Sequence, residues 1–126
     1  MAQRMLDRGI SINAFIASTA NRAFTTAGYF AEAYGISGKE VTGIKKLYHA
    51  YPPVFYEVIS AIDNSIDTVA IFAHNPGITM FVNELTQTQI DDMPTCSIFA
   101  VKTDIGSWRD FEKGKKEFWF FDYPRL

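Results

Sequence analysis

Two short polar segments, each placed directly after an apolar run, carry the side chains most suited to chemistry. Residues 68–73 form the clearest apolar run and lead into segment 74–77, His-Asn-Pro-Gly. Residues 14–17 form a second run and lead into segment 18–22, Ser-Thr-Ala-Asn-Arg. Each run is typical of a buried strand, and an amphipathic helix is predicted after each segment. Backbone N–H groups at the start of a helix attract anions, so both junctions are suited to binding phosphate.

Arg22 and His74 are the charged or titratable side chains at these junctions. Arg22 falls in the first turn of its predicted helix, where the helix dipole disfavours a cation unless an anion lies nearby. Its guanidinium can hold two phosphate oxygens at once, and Ser18 can add a hydroxyl donor. Because parallel strands open at the same edge of a sheet, we expect both junctions to face one phosphate site. Each residue taken singly has an alternative interpretation without a ligand. Arg22 could be solvated or paired with a carboxylate, His74 could simply be hydrogen-bonded, and Asn75 could mark an ordinary helix start.

Composition restricts the class of protein. The chain has 126 residues, 48% of them hydrophobic and 21% charged, which is enough for one domain with its own core. A formal net charge of -2 argues against nucleic acid or an anionic membrane as a partner. The single cysteine, Cys96, cannot close an intrachain disulfide, and no spacing suggests a metal site. No stretch is long enough to span a bilayer and none resembles a signal peptide, so we predict a cytoplasmic protein.

Hydrophobic periodicity predicts alternating helices and strands. Helices are expected from Ala2 to Gly9, from Ala20 to about Tyr34, after Pro52 and after Pro76, with Ser18 or Thr19 capping the second and Asn75 capping the last. Strands are expected at 14–17, within 41–47, at 68–73, at 97–103 and at 117–122. This order predicts an α/β three-layer sandwich. Its mostly parallel central sheet would have helices on both faces and an antiparallel edge hairpin at the C-terminus. The basic run 113–116 is expected at a solvated hairpin tip.

Four segments, in the right order, resemble motifs of the histidine phosphatase superfamily, most closely its small SixA-type phosphohistidine phosphatases. Residues 17–23 and 26–27 resemble the pattern SSPAxRAxxTA, residues 73–77 resemble GHNPG, residues 47–50 match LYxA, and residues 93–97 match a Pro-Thr turn before a strand. Thr19 stands where the family usually has Pro, and Ala73 where it usually has Gly. The matches cover nearly the whole chain. They imply a single histidine-phosphatase-like domain over residues 1–126 with a phosphoglycerate-mutase-like fold.

The resemblance implies a mechanism and roles for particular residues. In this family a histidine attacks phosphorus and forms a phosphohistidine, which water then hydrolyses. Arginines and a second histidine neutralise the transferred phosphoryl group. Carried onto this chain, Arg22 clamps the phosphate, His74 is the second histidine and Ser18 lines the pocket. The expected substrate is a phosphohistidine on a protein or a small phosphomonoester, with no metal and no organic cofactor.

The family's nucleophile is missing from the sequence. It belongs to an N-terminal Arg-His motif on the first strand, whereas this chain has no Arg-His pair and only two histidines, His49 and His74. The resemblance implies a domain that is incomplete at its N-terminus, because the chain begins where the family's first helix is already under way, and the lack of a capping residue before this helix agrees with that. The domain would lack about forty residues, with the nucleophile, one pocket arginine and a central strand. A true absence would instead favour a phosphate- or phosphoprotein-binding pseudophosphatase.

Two further residues are possible substrate contacts. His49 lies in a loop before Pro52, where it could touch the substrate or donate a proton, and an ordinary surface histidine is the alternative. Asn75 lies next to His74 and could also reach the substrate. An α/β domain with no phosphate site is the remaining interpretation, which the four ordered matches disfavour.

Overall fold

The computed structural model describes residues 1–124, which form two compact units. The first unit contains Met1–His49 and Ser65–His74, and the second contains Ala50–Asn64 and the chain from Asn75 onward. The helices are α1 (Ala2–Asp7), α2 (Asn21–Ala33), α3 (Pro52–Ser60) and α4 (Gly77–Leu85). The strands are β1 (Ala14–Ser18), β2 (Thr42–Ile44), β3 (Val69–Phe72), β4 (Ile98–Thr103) and β5 (Lys116–Asp122). Every predicted helix and strand is present within a few residues of its expected position.

The first unit is built on a parallel sheet with the strand order β2-β1-β3. In its register Ala17 of β1 lies opposite both Gly43 and Phe72. Helix α2 packs on this sheet through a stripe of small buried residues, and its Phe30 ring meets Phe72 edge-on at 5.3 Å. Gly35, with φ +75°, adopts the left-handed conformation that commonly ends a helix. Because β1 pairs in parallel with both β2 and β3, the three strands run in one direction and their carboxyl ends lie at one edge of the sheet.

Strand β3 is less buried than the sequence predicts. All four of its residues are partly exposed, whereas Phe15 to Ser18 of β1 are buried. The two strands differ in position: β1 has a neighbouring strand along both edges, while no strand among residues 1–124 lies along the second edge of β3. An apolar run alone cannot distinguish a strand with two neighbours from a strand with one.

The second unit combines α3 and α4 with the antiparallel β4–β5 hairpin. The ring of Phe55 on α3 stacks on Phe81 of α4 at 4.7 Å, and both side chains are buried. Ile98 pairs with Asp122, and the register shifts once between Ala100 and Val101. The predicted C-terminal hairpin is thus confirmed, and so is the α/β class with a parallel sheet.

The basic run 113–116 is not uniformly solvated, which corrects the sequence-based expectation. Lys116 is partly buried, and its Nζ donates hydrogen bonds to the carbonyls of Phe111 at 2.7 Å, Gly114 at 2.9 Å and Glu112 at 3.0 Å. The ammonium also lies 4.8 Å from the centre of the Phe111 ring. Burial lowers the pKa of Lys116. The side chain serves to close the turn rather than to face water.

Gly77, the first residue of α4, is held against another part of the second unit. A Cβ added there would collide with the carbonyl oxygen of Ala50, a backbone atom that cannot rotate away. We therefore expect Gly77→Ala to lower the free energy of unfolding by about 1–3 kcal/mol, the usual cost of overpacking. Urea denaturation measures this change. Gly106→Ala is the matched control, because nothing lies within 4 Å of the added carbon. Equal stability of the two variants would contradict this account of the contact.

Candidate phosphate site

The side chains predicted to bind phosphate lie at the carboxyl ends of the strands in the first unit. Ser18 is the last residue of β1, and His74 follows the end of β3. Arg22 lies in the first turn of α2, directly after β1. His49 follows β2 and the short 3-10 turn Lys45–Leu47. Because the strands are parallel, all three strand ends contribute to one edge, which is where open α/β sheets bind ligands.

A hydrogen bond links the two junctions. The Nε2 of His74 lies 2.8 Å from the Oγ of Ser18, which is fully buried. The same Oγ accepts a hydrogen bond from the N–H of Ala20 at 3.2 Å. With neutral His74 the hydroxyl can donate to Nε2, and with the imidazolium it can accept from it. Ser18 therefore fixes the plane of the His74 ring in either protonation state.

The start of α2 differs from the expected capping. Ala20 is the N-cap residue and provides no side-chain hydrogen bond, so neither Ser18 nor Thr19 is the cap. The Ser18 hydroxyl instead binds the N–H of Ala20, one position before the helix. This geometry follows from the strand, since Ser18 is still part of β1 and its side chain points into the unit. The first N–H groups of α2 are left without a side-chain acceptor.

The guanidinium of Arg22 is exposed and forms no hydrogen bond or ion pair with any residue of the described part of the chain. The first turn of α2 also contains no acidic residue. The carboxylate-paired alternative for Arg22 is therefore not observed within residues 1–124. A cation at this end of a helix, without a counter-charge, is an arrangement that an anion would stabilise.

The pKa of His74 reports the charge of its surroundings. Burial lowers this pKa below its ordinary value, and the positive charges of His49 and Arg22 lower it further. All of these effects favour the neutral imidazole when no anion is near. An anion bound beside Arg22 would act in the opposite direction and favour the imidazolium.

Tyr48 and His49 join His74 in a cluster of rings. The centre of the Tyr48 ring lies 4.4 Å from the centre of the His49 ring, in an edge-on arrangement, and 6.0 Å from the centre of the His74 ring. His49 has φ +57°, a left-handed backbone conformation that is uncommon outside glycine. The sequence analysis does not predict a role for Tyr48, although this residue belongs to the LYxA match. It places His49 in a loop but does not predict where its side chain lies.

Asn75 has a different environment from the one expected. It belongs to the second unit, where its Nδ2 donates to the carbonyl of Met93 at 2.9 Å and its Oδ1 accepts from the Thr79 hydroxyl. The N-cap residue of α4 is Pro76, so the predicted capping by Asn75 is wrong. The reason is that the Asn75 amide is already hydrogen-bonded through its nitrogen to the carbonyl of Met93 and through its oxygen to the hydroxyl of Thr79, so it does not cap α4. A substrate contact by Asn75 stays a prediction.

No group of three His, Cys, Asp or Glu side chains among residues 1–124 is arranged to hold a metal ion. Within the same range, no helix has both the length and the apolar character needed to cross a bilayer.

Comparison with known proteins identifies the fold. No protein-family model and no curated protein sequence matches the chain. A solved structure of a candidate phosphohistidine phosphatase SixA from Nakamurella multipartitia matches with a TM-score of 0.74 and 18% identity, over 99% of this chain and 78% of that one. A second such candidate, from Agrobacterium tumefaciens, matches with a TM-score of 0.68 and 17% identity, over 98% of this chain and 75% of that one. The predicted SixA-type, phosphoglycerate-mutase-like fold is thereby confirmed.

The electrostatic effect of Arg22 on His74 can be measured directly. Because the guanidinium charge lowers the pKa of His74, we expect Arg22→Gln to raise that pKa. Titration of the imidazole C–H resonances by NMR measures the change. Lys39→Gln is the matched control, since this exposed lysine is not among the charges that shift His74. A pKa of His74 that is the same in both variants would show that the two side chains do not interact.

Proposed function

We propose that this chain provides the phosphoryl-binding part of a histidine phosphatase-type hydrolase. Its substrate would be a phosphohistidine or a small phosphomonoester, and the reaction would pass through a phosphohistidine intermediate. The observation that carries this proposal is the 2.8 Å contact between Ser18 and His74, which joins the two junctions at one edge of the sheet. The SixA-like fold supports the same assignment.

The residues at this edge suit a transferring phosphoryl group. Arg22 would hold two oxygens through its fork-shaped guanidinium, and the first N–H groups of α2 would face the same anion. His74, oriented by Ser18, would add a third donor that becomes positive as the anion binds. Negative charge spread over the phosphoryl oxygens is what a phosphatase must stabilise in the transition state.

The nucleophile would have to come from a strand outside the printed sequence. Support for this comes from β3, whose second edge has no partner among residues 1–124. A strand added in parallel along that edge would end on the same side as His74 and bring its own side chains to the phosphoryl group. Both solved neighbours are longer than their matched regions, since the alignments cover 78% and 75% of those chains.

A phosphate-binding protein without turnover is the second candidate. It is favoured by one observation, the lack of any Arg-His pair in the printed sequence. Such a protein would use Arg22, His74 and Ser18 in the same way and would hold a phosphate or a phosphorylated partner protein. The two candidates share the site and differ only in the nucleophile.

Anion binding tests what both candidates share. We expect Arg22→Ala to weaken the binding of inorganic phosphate at least roughly tenfold, because charge-assisted hydrogen bonds contribute about 1.5–3 kcal/mol. The phosphate affinity of Arg22→Lys should lie between those of the parent and of Arg22→Ala, because an ammonium keeps the positive charge but cannot form the paired hydrogen bonds of a guanidinium. Isothermal titration calorimetry gives the dissociation constants, with Lys39→Ala as the matched control. Unchanged affinity in Arg22→Ala would exclude this site.

Measurement of turnover shows whether a histidine of this chain acts as the nucleophile. We expect the printed chain to hydrolyse p-nitrophenyl phosphate no faster than the buffer does, because neither of its histidines stands in the nucleophile's motif. Release of p-nitrophenol, followed by absorbance, measures the rate. Robust hydrolysis that His49→Ala abolishes would show instead that His49 is the attacking residue.

A further inference from the structure

We propose that His49 is a third cationic ligand of the phosphoryl group, binding it directly beside Arg22 and His74. This inference rests on the proposed function and extends it to a residue that the family motifs leave variable. It is carried by three observations: the backbone conformation of His49, the ring of Tyr48 that joins it to His74, and the free polar atoms of its imidazole.

The backbone holds His49 in a specific and costly conformation. A φ of +57° costs a non-glycine residue about 1–2 kcal/mol, so it persists only where the surroundings determine it. Here Leu47, two residues before His49, is fully buried, and the N–H of Tyr48 donates to the carbonyl of Lys45 at 3.0 Å. The 3-10 turn is therefore anchored, and the left-handed residue follows it after the extended Tyr48. Strain of this kind is common at ligand sites.

Tyr48 keeps the His49 ring beside His74. The centre of its ring lies 4.4 Å from that of His49, edge-on, and 6.0 Å from that of His74, so one aromatic side chain lies beside both imidazoles. About half of Tyr48 is exposed, with 51% of its surface open to solvent, and His49 is exposed as well. Neither ring nitrogen of His49 has a hydrogen-bond partner among residues 1–124, which leaves both free to bind an anion.

Several basic residues lie near His49 in the chain or act on His74 at the same edge. The turn before His49 carries Lys45 and Lys46, the edge of β3 brings His74, and α2 brings Arg22. Among the described residues, no carboxylate is one of the groups that shift the pKa of His74. Several cations held together repel one another in the empty site and gain most when a dianion binds. A bound dianion would therefore raise the pKa of His74, against the charges that lower it in the free protein.

Tungstate, a tetrahedral dianion in mildly alkaline buffer, is the probe for this ligand. We expect His49→Asn to weaken tungstate binding roughly tenfold, because a charge-assisted hydrogen bond from the imidazole to the dianion would be lost. Asparagine is chosen because it tolerates a positive φ. Isothermal titration calorimetry supplies both affinities.

Lys45→Gln is the matched control, since it removes an exposed cation from the same turn. We expect it to change the affinity by less than about twofold, as surface charges do in salt. His49→Gly, which adopts a positive φ freely, is the second variant in case His49→Asn does not fold. NMR provides an independent readout: loss of the His49 charge should raise the pKa of His74 in the free protein.

The outcomes separate this inference from the proposed function. If the parent binds tungstate and Arg22→Ala does not, while both His49 variants keep full affinity, then the role of His49 is wrong and the phosphate site stands. If the parent itself binds no tungstate, the proposed function fails and this inference fails with it. Loss of affinity in the His49 variants, with Lys45→Gln unaffected, supports the inference.

Discussion

Parallel pairing between β1 and β3 is the constraint on which the candidate site depends. The register that places Ala17 opposite Phe72 brings the ends of both strands to one edge, and Ser18 then meets His74 at 2.8 Å. A slip of one residue would turn Ser18 to the other face of the sheet and leave its hydroxyl without the imidazole. The contact between Ser18 and His74 thus depends on the pairing register of the two strands.

The same edge concentrates positive charge. Burial together with the charges of Arg22 and His49 makes protonation of His74 unfavourable in the free protein. Helix α2 adds the positive end of its dipole and brings no acidic residue in its first turn. Structural arginines usually find a carboxylate, whereas Arg22 has none among residues 1–124. An arrangement that disfavours its own charges is stabilised by an anion, and this is the physical basis for assigning phosphate to the site.

Several features followed from the sequence because they depend on local chemistry. Apolar runs located β1 and β3, Gly35 ended α2, and the polar segments after each strand pointed to Ser18, Arg22 and His74. Other features depend on partners far along the chain. The exposure of β3 depends on which strand lies at its second edge, and the amide of Asn75 is used by Met93 and Thr79 rather than by α4. The left-handed turn at His49 has only a weak local signal, since histidine is enriched at positive φ but far less characteristic of it than glycine.

The central claim is that one oxyanion binds to Arg22 and His74 together. A crystal soaked in sodium tungstate tests this most directly, because the anomalous signal of tungsten locates the anion without ambiguity. The account predicts a tungsten position within hydrogen-bond reach of both the Arg22 guanidinium and the His74 imidazole, at the carboxyl edge of β1 and β3. An empty edge in a crystal that binds tungstate elsewhere, or the two side chains too far apart to share a tetrahedral ion, would contradict it.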